Sequence, residues 1–124
     1  KKDIIVSAGG DNISPAKIEN QLTNSPAIEQ SMVFGEGKNY LVALIVPNKE
    51  FLDQKEKIKE IIDEVNKNLT LVEKVKKFSL LNENFSIENG LLTPTMKIQR
   101  QKVEDTYVDE FEKWKKQNRK IVWV

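Results

Sequence analysis

The sequence predicts an α+β domain: a small, mainly antiparallel sheet that contains a β-hairpin and is flanked by helices. Three observations carry that prediction. Ile28, Gln30, Met32 and Phe34 alternate with Glu29, Ser31 and Val33, the pattern of a strand with one well-buried face. The loop Gly35-Glu36-Gly37-Lys38-Asn39 follows, and Tyr40-Leu41-Val42-Ala43-Leu44-Ile45-Val46 is then a nearly unbroken apolar strand, central in its sheet and hairpin partner of the first. Residues 49–67 set Phe51, Leu52, Ile58, Ile61, Ile62 and Val65 among charged residues, as an amphipathic helix lying on a sheet would.

The remaining elements follow in order. Ile4-Ile5-Val6 is a β-branched run bounded by Ser7-Ala8-Gly9-Gly10, a strand and then a tight loop. Ser14-Pro15 starts a helix, because serine caps and proline suits the first helical position. Ile18 and Leu22 lie i,i+4 on it, and Ser25-Pro26 stops it. Pro47 ends the apolar strand and Asn48 caps what comes next. Thr70 and Glu73 form a capping box, opening a short helix through Val72 and Val75. Phe78 to Leu81 and Phe85 to Ile87 read as short strands around Asn82-Glu83-Asn84. Gly90 to Arg100, punctuated by Gly90 and Pro94, is a stiff connector. Val103, Tyr107, Phe111 and Trp114 then mark a last helix to about Lys116. The apolar tail Ile121-Val122-Trp123-Val124 leaves three readings open: docking, pairing as an edge strand, or a remnant foreign to the fold.

Composition narrows the chemistry. The 124 residues suffice for one domain with a real core, and 39% hydrophobic with 31% charged content reads as soluble and globular. Lys+Arg 20 against Asp+Glu 19 gives a net charge of +1, so no bulk field favours nucleic acid. The chain has no cysteine and no histidine. That removes disulfides, thiolate nucleophiles, the usual zinc ligands and any Ser-His-Asp triad, and no metal site is expected. No apolar run has bilayer-spanning length and no signal peptide is visible, so a reducing cytoplasm is the expected compartment. The opening Lys1-Lys2-Asp3 enters a strand at once without an initiator methionine. It reads as a piece cut from a longer protein, or else as a trimmed small one.

Two places hold candidate chemistry. Gly9-Gly10-Asp11-Asn12 lies between a strand and a capped helix, where glycines let backbone approach a ligand and amides face outward. It lacks the pattern of a dinucleotide loop or a P-loop, and by itself a plain turn is the simpler reading. Lys97 is a flexible ammonium near the end of a stiff element, within reach of a phosphate or carboxylate. Taken singly, a lysine among so many basic residues is an ordinary solvated one. The lysine-rich stretch 55–77 is interleaved with acids, a mixed-charge surface. Asp63-Glu64 and Glu104-Asp105 read as surface carboxylates, and Tyr107 and Trp114 as core.

Taken together, the motifs carry more. Lys1-Lys2-Asp3-Ile4-Ile5-Val6-Ser7-Ala8-Gly9-Gly10-Asp11-Asn12-Ile13-Ser14-Pro15, then Ile18-Glu19, resembles the hinge-and-loop motif that opens the mobile C-terminal domain of AMP-forming acyl-CoA synthetases. Leu92-Thr93-Pro94-Thr95-Met96-Lys97-Ile98-Gln99-Arg100 resembles the final motif of the same enzymes, in the form seen in long-chain fatty-acid CoA ligases. Ser25-Pro26-Ala27-Ile28-Glu29-Gln30 and Leu41 to Pro47 are similar too, so the likeness runs from residue 1 to about residue 115.

That resemblance implies a division at 1–116, a C-terminal lid domain, and 117–124, a tail without counterpart. It implies an enzyme that joins a fatty acid to AMP using ATP and Mg2+ and then to CoA, the lid swinging between the two steps. Lys97 takes the place of the family's adenylation lysine. Gly9 and Gly10 map onto the loop facing the pantetheine channel, and Lys2 onto the hinge, where a few residues absorb the rotation. Arg100 is assigned structure before chemistry. Many relatives have glycine just before the lysine; here it is Met96, which the long-chain branch tolerates. The implied partner is the protein's own N-terminal adenylation domain, which holds the ATP loop and acyl tunnel, and peripheral membrane contact of the parent enzyme is compatible with the reading. The fragment alone is then expected to be inactive. Two other readings stay open: the lid of a related enzyme that loads a carrier protein, and a non-catalytic α+β interaction module.

Overall fold

A computed structural model of the chain describes residues 3–107 and 121–123. A short hairpin comes first, β1 (Ile5–Val6) against β2 (Asn12–Ile13), antiparallel with Ile5 opposite Ile13. Helix α1 (Pro15–Thr23) follows, and the Ser14 hydroxyl accepts from the Lys17 N–H as the Ser-Pro start predicts. Strands β3 (Ile28–Phe34) and β4 (Leu41–Pro47) form the expected antiparallel hairpin. A 3-10 turn at Lys49–Phe51, capped by the Asn48 side chain, precedes α2 (Lys55–Asn66). Then come β5 (Val75–Leu80), α3 (residues 100–107) and β6 (Ile121–Trp123). The main sheet has the order β3-β4-β5-β6. Its outer pairs are antiparallel, while β4 and β5 run parallel, because α2 carries the chain back across the sheet between them.

Strand β4 is buried along its whole length because both faces of the sheet are covered. Leu41, Ala43 and Ile45 face one core with Ile18, Leu22, Ile58, Ile62 and Phe78, under α1 and α2. Val42, Leu44 and Val46 face a second core with Met32, Leu81, Phe85, Leu91, Leu92 and Val103, under the return segment and α3. A strand covered on both sides reads as a continuous apolar run rather than an alternating one. Strand β3 departs from the single buried face its alternation predicts: Val33 enters the first core and Met32 the second. A register shift between Ile28 and Gln30 puts Ile28 and Val33, five positions apart, on the same side.

Three other expectations are corrected. The capping box at Thr70 and Glu73 opens only a 3-10 turn (Leu71–Glu73), and Val75 already begins β5 opposite Leu41, because the Asn66 side chain accepts from its N–H and donates to its carbonyl. Residues 49–67 break into the 3-10 turn and α2 rather than one helix. Phe85 to Ile87 is not a strand. The Gln30 side chain takes the part of a neighbouring strand there, accepting from Phe85 N–H at 2.8 Å and donating to its carbonyl at 2.9 Å. The tail pairs as an edge strand, with Lys77 opposite Trp123 and Ser79 opposite Ile121. Phe111, Trp114 and the helix end near Lys116 lie outside the described residues. Among those described, no helix is long and apolar enough to cross a membrane.

The Thr70 turn gives one pH prediction. Glu73 accepts from Thr70 N–H at 3.0 Å and pairs with the Lys17 ammonium at 2.9 Å. The Thr70 backbone bond, ahead of Lys17, holds its carboxyl below the usual value of 4.5 against the opposing effect of burial. A depressed carboxyl contributes stability above its unfolded pKa and loses it as pH falls through the folded one. Glu73→Gln keeps a capping acceptor but cannot titrate. The variant is therefore expected to lose less stability than the parent chain between about pH 6 and about pH 3, read as urea midpoints.

Candidate functional site

The Lys97 loop is built from its anchors outward. Leu91 and Leu92 are buried in the second core, and Leu92 bridges Ile98 in antiparallel fashion. Thr93 then closes the loop three ways: its N–H donates to the Lys97 carbonyl at 2.8 Å, its carbonyl accepts from Met96 N–H at 2.8 Å, and its hydroxyl accepts from Lys97 N–H at 3.1 Å. Gln99 staples the base, donating from its side chain to the carbonyls of Gly90 and Leu92. The layout is that of a three-residue hairpin loop, Pro94-Thr95-Met96, whose last residue must turn left-handed. Met96 does so, with φ +67°, and is the one non-glycine residue with positive φ among those described. A side chain there costs roughly 1 kcal/mol, which is why glycine suits the position. The Lys97 side chain emerges from this stapled loop exposed, and its ammonium makes no hydrogen bond or ion pair among the described residues.

Arg100 stands three residues on, at the start of α3, and its role is structural. Its Nη1 and Nη2 grip both oxygens of Glu19 in α1, at 2.8 and 2.5 Å. Its Nε reaches Asp3 at 3.0 Å. Glu19 also accepts from Val33 N–H in β3 at 2.8 Å, so one buried carboxylate joins α1, β3 and α3. Burial opposes the charge on Arg100, but Glu19 and then Asp3 outweigh it and hold its pKa above the ordinary value. Sequence reasoning missed Glu19 and Asp3. The signal for Glu19 was there: it lies on the buried stripe Pro15, Ile18, Glu19, Leu22, and a carboxylate on such a stripe needs a cation.

Gly9 and Gly10 sit in the β1–β2 hairpin rather than between a strand and a helix. Ser7 N–H donates to the Asp11 carbonyl and Gly10 N–H to the Ser7 carbonyl, both at 3.0 Å. Ala8 N–H donates to the Lys38 carbonyl at 2.9 Å and Gly37 N–H to Val6 at 2.8 Å, so the hairpin loop is pinned to the β3–β4 loop. The two glycines differ. Gly10 has φ +88° and needs glycine for its conformation. A Cβ on Gly9 would meet only Asp11 Oδ2 at 3.5 Å and Ser7 Oγ at 4.0 Å, ordinary contacts, so this fold does not require glycine there. Gly10→Ala is expected to cost about 1 kcal/mol or more and Gly9→Ala less than about 0.5 kcal/mol, measured by urea unfolding.

Lys2 lies outside the described residues. Its neighbour Asp3 is tied to Arg100, which brings the lead into β1 next to the element that follows Lys97. An open cleft of about 360 Å3 lies between that lead, the end of β3 and α3. Arg100 and Glu104 line it, but neither Lys97 nor either glycine does. Burial, with Asp105 and Glu36 nearby, raises the Glu104 carboxyl, so this residue is not the plain surface acid its run predicts. Among the described residues no cluster of His, Cys, Asp or Glu is placed to hold a metal ion.

Residues 2–118 match the family model of the AMP-binding enzyme C-terminal domain. The chain belongs to that family. It is 36% identical to the probable acyl-activating enzyme 16 of Arabidopsis thaliana, over 90% of this chain and 18% of the relative. It is 32% identical to the long-chain-fatty-acid–CoA ligase FadD15 of Mycobacterium tuberculosis, over 90% of this chain and 22% of the relative. The A-PCP didomain of carboxylic acid reductase from Segniliparus rugosus, solved with AMP, superposes with a TM-score of 0.81 at 26% identity, over 94% of this chain and 18% of that one. The chain thus spans about a fifth of the length of the curated relatives it matches. As an AMP-binding enzyme C-terminal domain, it carries an exposed lysine on a braced loop and a pinned glycine hairpin.

Proposed function

We propose that this domain is the mobile lid of an ATP-dependent, AMP-forming long-chain fatty-acid–CoA ligase. The observation that carries the reading is the Lys97 ammonium, exposed and without a partner among the described residues, on a loop that Thr93 and Gln99 hold stiff. Family membership and the ligase names of the relatives support it.

In the first half-reaction a fatty-acid carboxylate oxygen attacks the α-phosphorus of ATP, the bond to the β-phosphate oxygen breaks, and pyrophosphate leaves. Two anions must meet, so a cation between them offsets their repulsion and the charge that develops in flight. Lys97 is the group this chain offers. Its loop spends its own hydrogen bonds on its own backbone and leaves the ammonium for the reacting oxygens. In the second half-reaction the CoA thiol attacks the acyl carbonyl, the bond to the phosphate oxygen breaks, and AMP leaves. The Gly9 position suits that step: a Cβ there would make only ordinary contacts with Asp11 and Ser7, so the fold does not call for glycine, while a bare backbone lets a pantetheine arm approach closely. The reading assigns ATP, the acyl tunnel and Mg2+ to the protein's own N-terminal adenylation domain, where a bound Mg2+ would supply charge neutralisation for the phosphates.

The test is made on the full-length enzyme. Pyrophosphate release should require a long-chain fatty acid and ATP, and acyl-CoA should accumulate when CoA is added. The purified 124-residue chain should form no acyl-AMP. Acyl transfer to a carrier protein but not to CoA would replace the acceptor in this reading, and no ATP-dependent chemistry at all would overturn it.

A further inference from the structure

We infer that Met96 is a substrate-contacting residue of the adenylation step, packing against the methylenes of the fatty acid next to its carboxylate. The inference rests on the lid reading above. Met96 combines three features. It holds a left-handed backbone, φ +67°, that a side chain disfavours. Met96 is 63% exposed, so little packing among the described residues offsets that strain. And it directly precedes Lys97, on a loop whose hydrogen bonds fix the two residues relative to each other.

Consecutive Cα atoms are about 3.8 Å apart. Wherever the loop carries the Lys97 ammonium, the Met96 backbone therefore lies about one lysine side-chain length from the same reaction centre, close enough for its own unbranched side chain to extend to it. That centre is polar on one side, where carboxylate and phosphate meet, and apolar on the other, where the acyl chain begins. An unbranched thioether fits the apolar side: it is flexible, polarisable and fills irregular gaps. Strain that little packing among the described residues offsets is accounted for if the side chain is buried only when the lid closes on substrate. Other large exposed apolar residues, such as Leu71 and Ile87, have ordinary backbone angles and need no such account.

The experiment compares Met96→Asn and Met96→Leu in the full-length enzyme, with Lys97→Ala beside them. Asparagine tolerates the left-handed backbone but is polar; leucine keeps the apolar bulk. Met96→Asn is expected to be at least as heat-stable as the parent enzyme. Its KM for the fatty acid in pyrophosphate release should rise about tenfold, its KM for ATP should stay within about twofold, and thioester formation from supplied acyl-AMP should be unchanged. Met96→Leu should remain within about twofold throughout. An unchanged fatty-acid KM in Met96→Asn overturns the inference, as does a rise confined to ATP or shared by both half-reactions. If Lys97→Ala keeps full adenylation, it is the lid reading that fails. If Lys97→Ala is inactive and Met96→Asn behaves as the parent, only the Met96 assignment fails.

Discussion

Replacing Lys97 with alanine in the full-length enzyme is expected to slow acyl-adenylate formation by roughly 100- to 1,000-fold, the usual loss when one well-placed charge-stabilising group is removed. The fold should not notice. The side chain is exposed, and the loop is held by Thr93, Gln99 and the Leu92–Ile98 bridge, none of which uses the lysine side chain. Thioester formation from supplied acyl-AMP should stay near the parent rate, because in the proposed reading the lysine acts where two anions meet, whereas the second step joins a thiol to an already activated carbonyl. Lys97→Arg should recover little, since a planar guanidinium on a longer stem does not put a compact charge at the same point. Rapid-quench assays of the two half-reactions make the check, and a Lys97→Ala enzyme that adenylates at the parent rate would falsify the assignment.

The second large effect concerns stability. Arg100→Met is expected to destabilise the domain by about 3–5 kcal/mol, a large share of the roughly 5–15 kcal/mol available to a domain. The reason is what remains. Glu19 is only 7% exposed, and without Arg100 it keeps one Val33 N–H donor but loses its counter-charge. Adding Glu19→Gln removes the unpaired charge while leaving an oxygen for Val33. The double variant should therefore recover most of the loss, to within about 1–2 kcal/mol of the parent. Asp3→Asn, at the exposed end of the cluster, should cost less than about 1 kcal/mol. Urea unfolding of Arg100→Met, Glu19→Gln and the double variant, analysed as a cycle with the parent, measures the coupling. Equal losses in the single Arg100 and double variants would show that burial of the carboxylate is not the cause.

Much of the fold was legible along the chain. The Ser14-Pro15 start, the β3–β4 hairpin and the apolar run of β4 each follow from spacing and local sterics, and each is present. The misreadings share a cause. The Thr70 box opens a 3-10 turn because Asn66 and the sheet claim Val75, and Phe85 bonds a glutamine side chain instead of a strand. Both partners lie far enough along the chain, or on the wrong kind of group, that local pattern cannot see them. Strand β2 is two residues long, below what alternation can register.

The candidate site divides the same way. Residue identity and order marked Lys97 and the Gly9-Gly10 pair as candidates, because a stiff connector and a glycine turn are local properties of the chain, and the resemblance to AMP-forming acyl-CoA synthetases set them above a solvated lysine and a plain turn. Only the folded molecule separated Gly10, whose backbone demands glycine, from Gly9, whose backbone does not. Only it turned Met96 from an odd residue in glycine's place into a left-handed one beside the lysine, and joined Arg100 to Glu19 across 81 positions. Chemistry of a side chain is written one residue at a time, but its exposure, strain and partners are set by whatever distant segment packs against it.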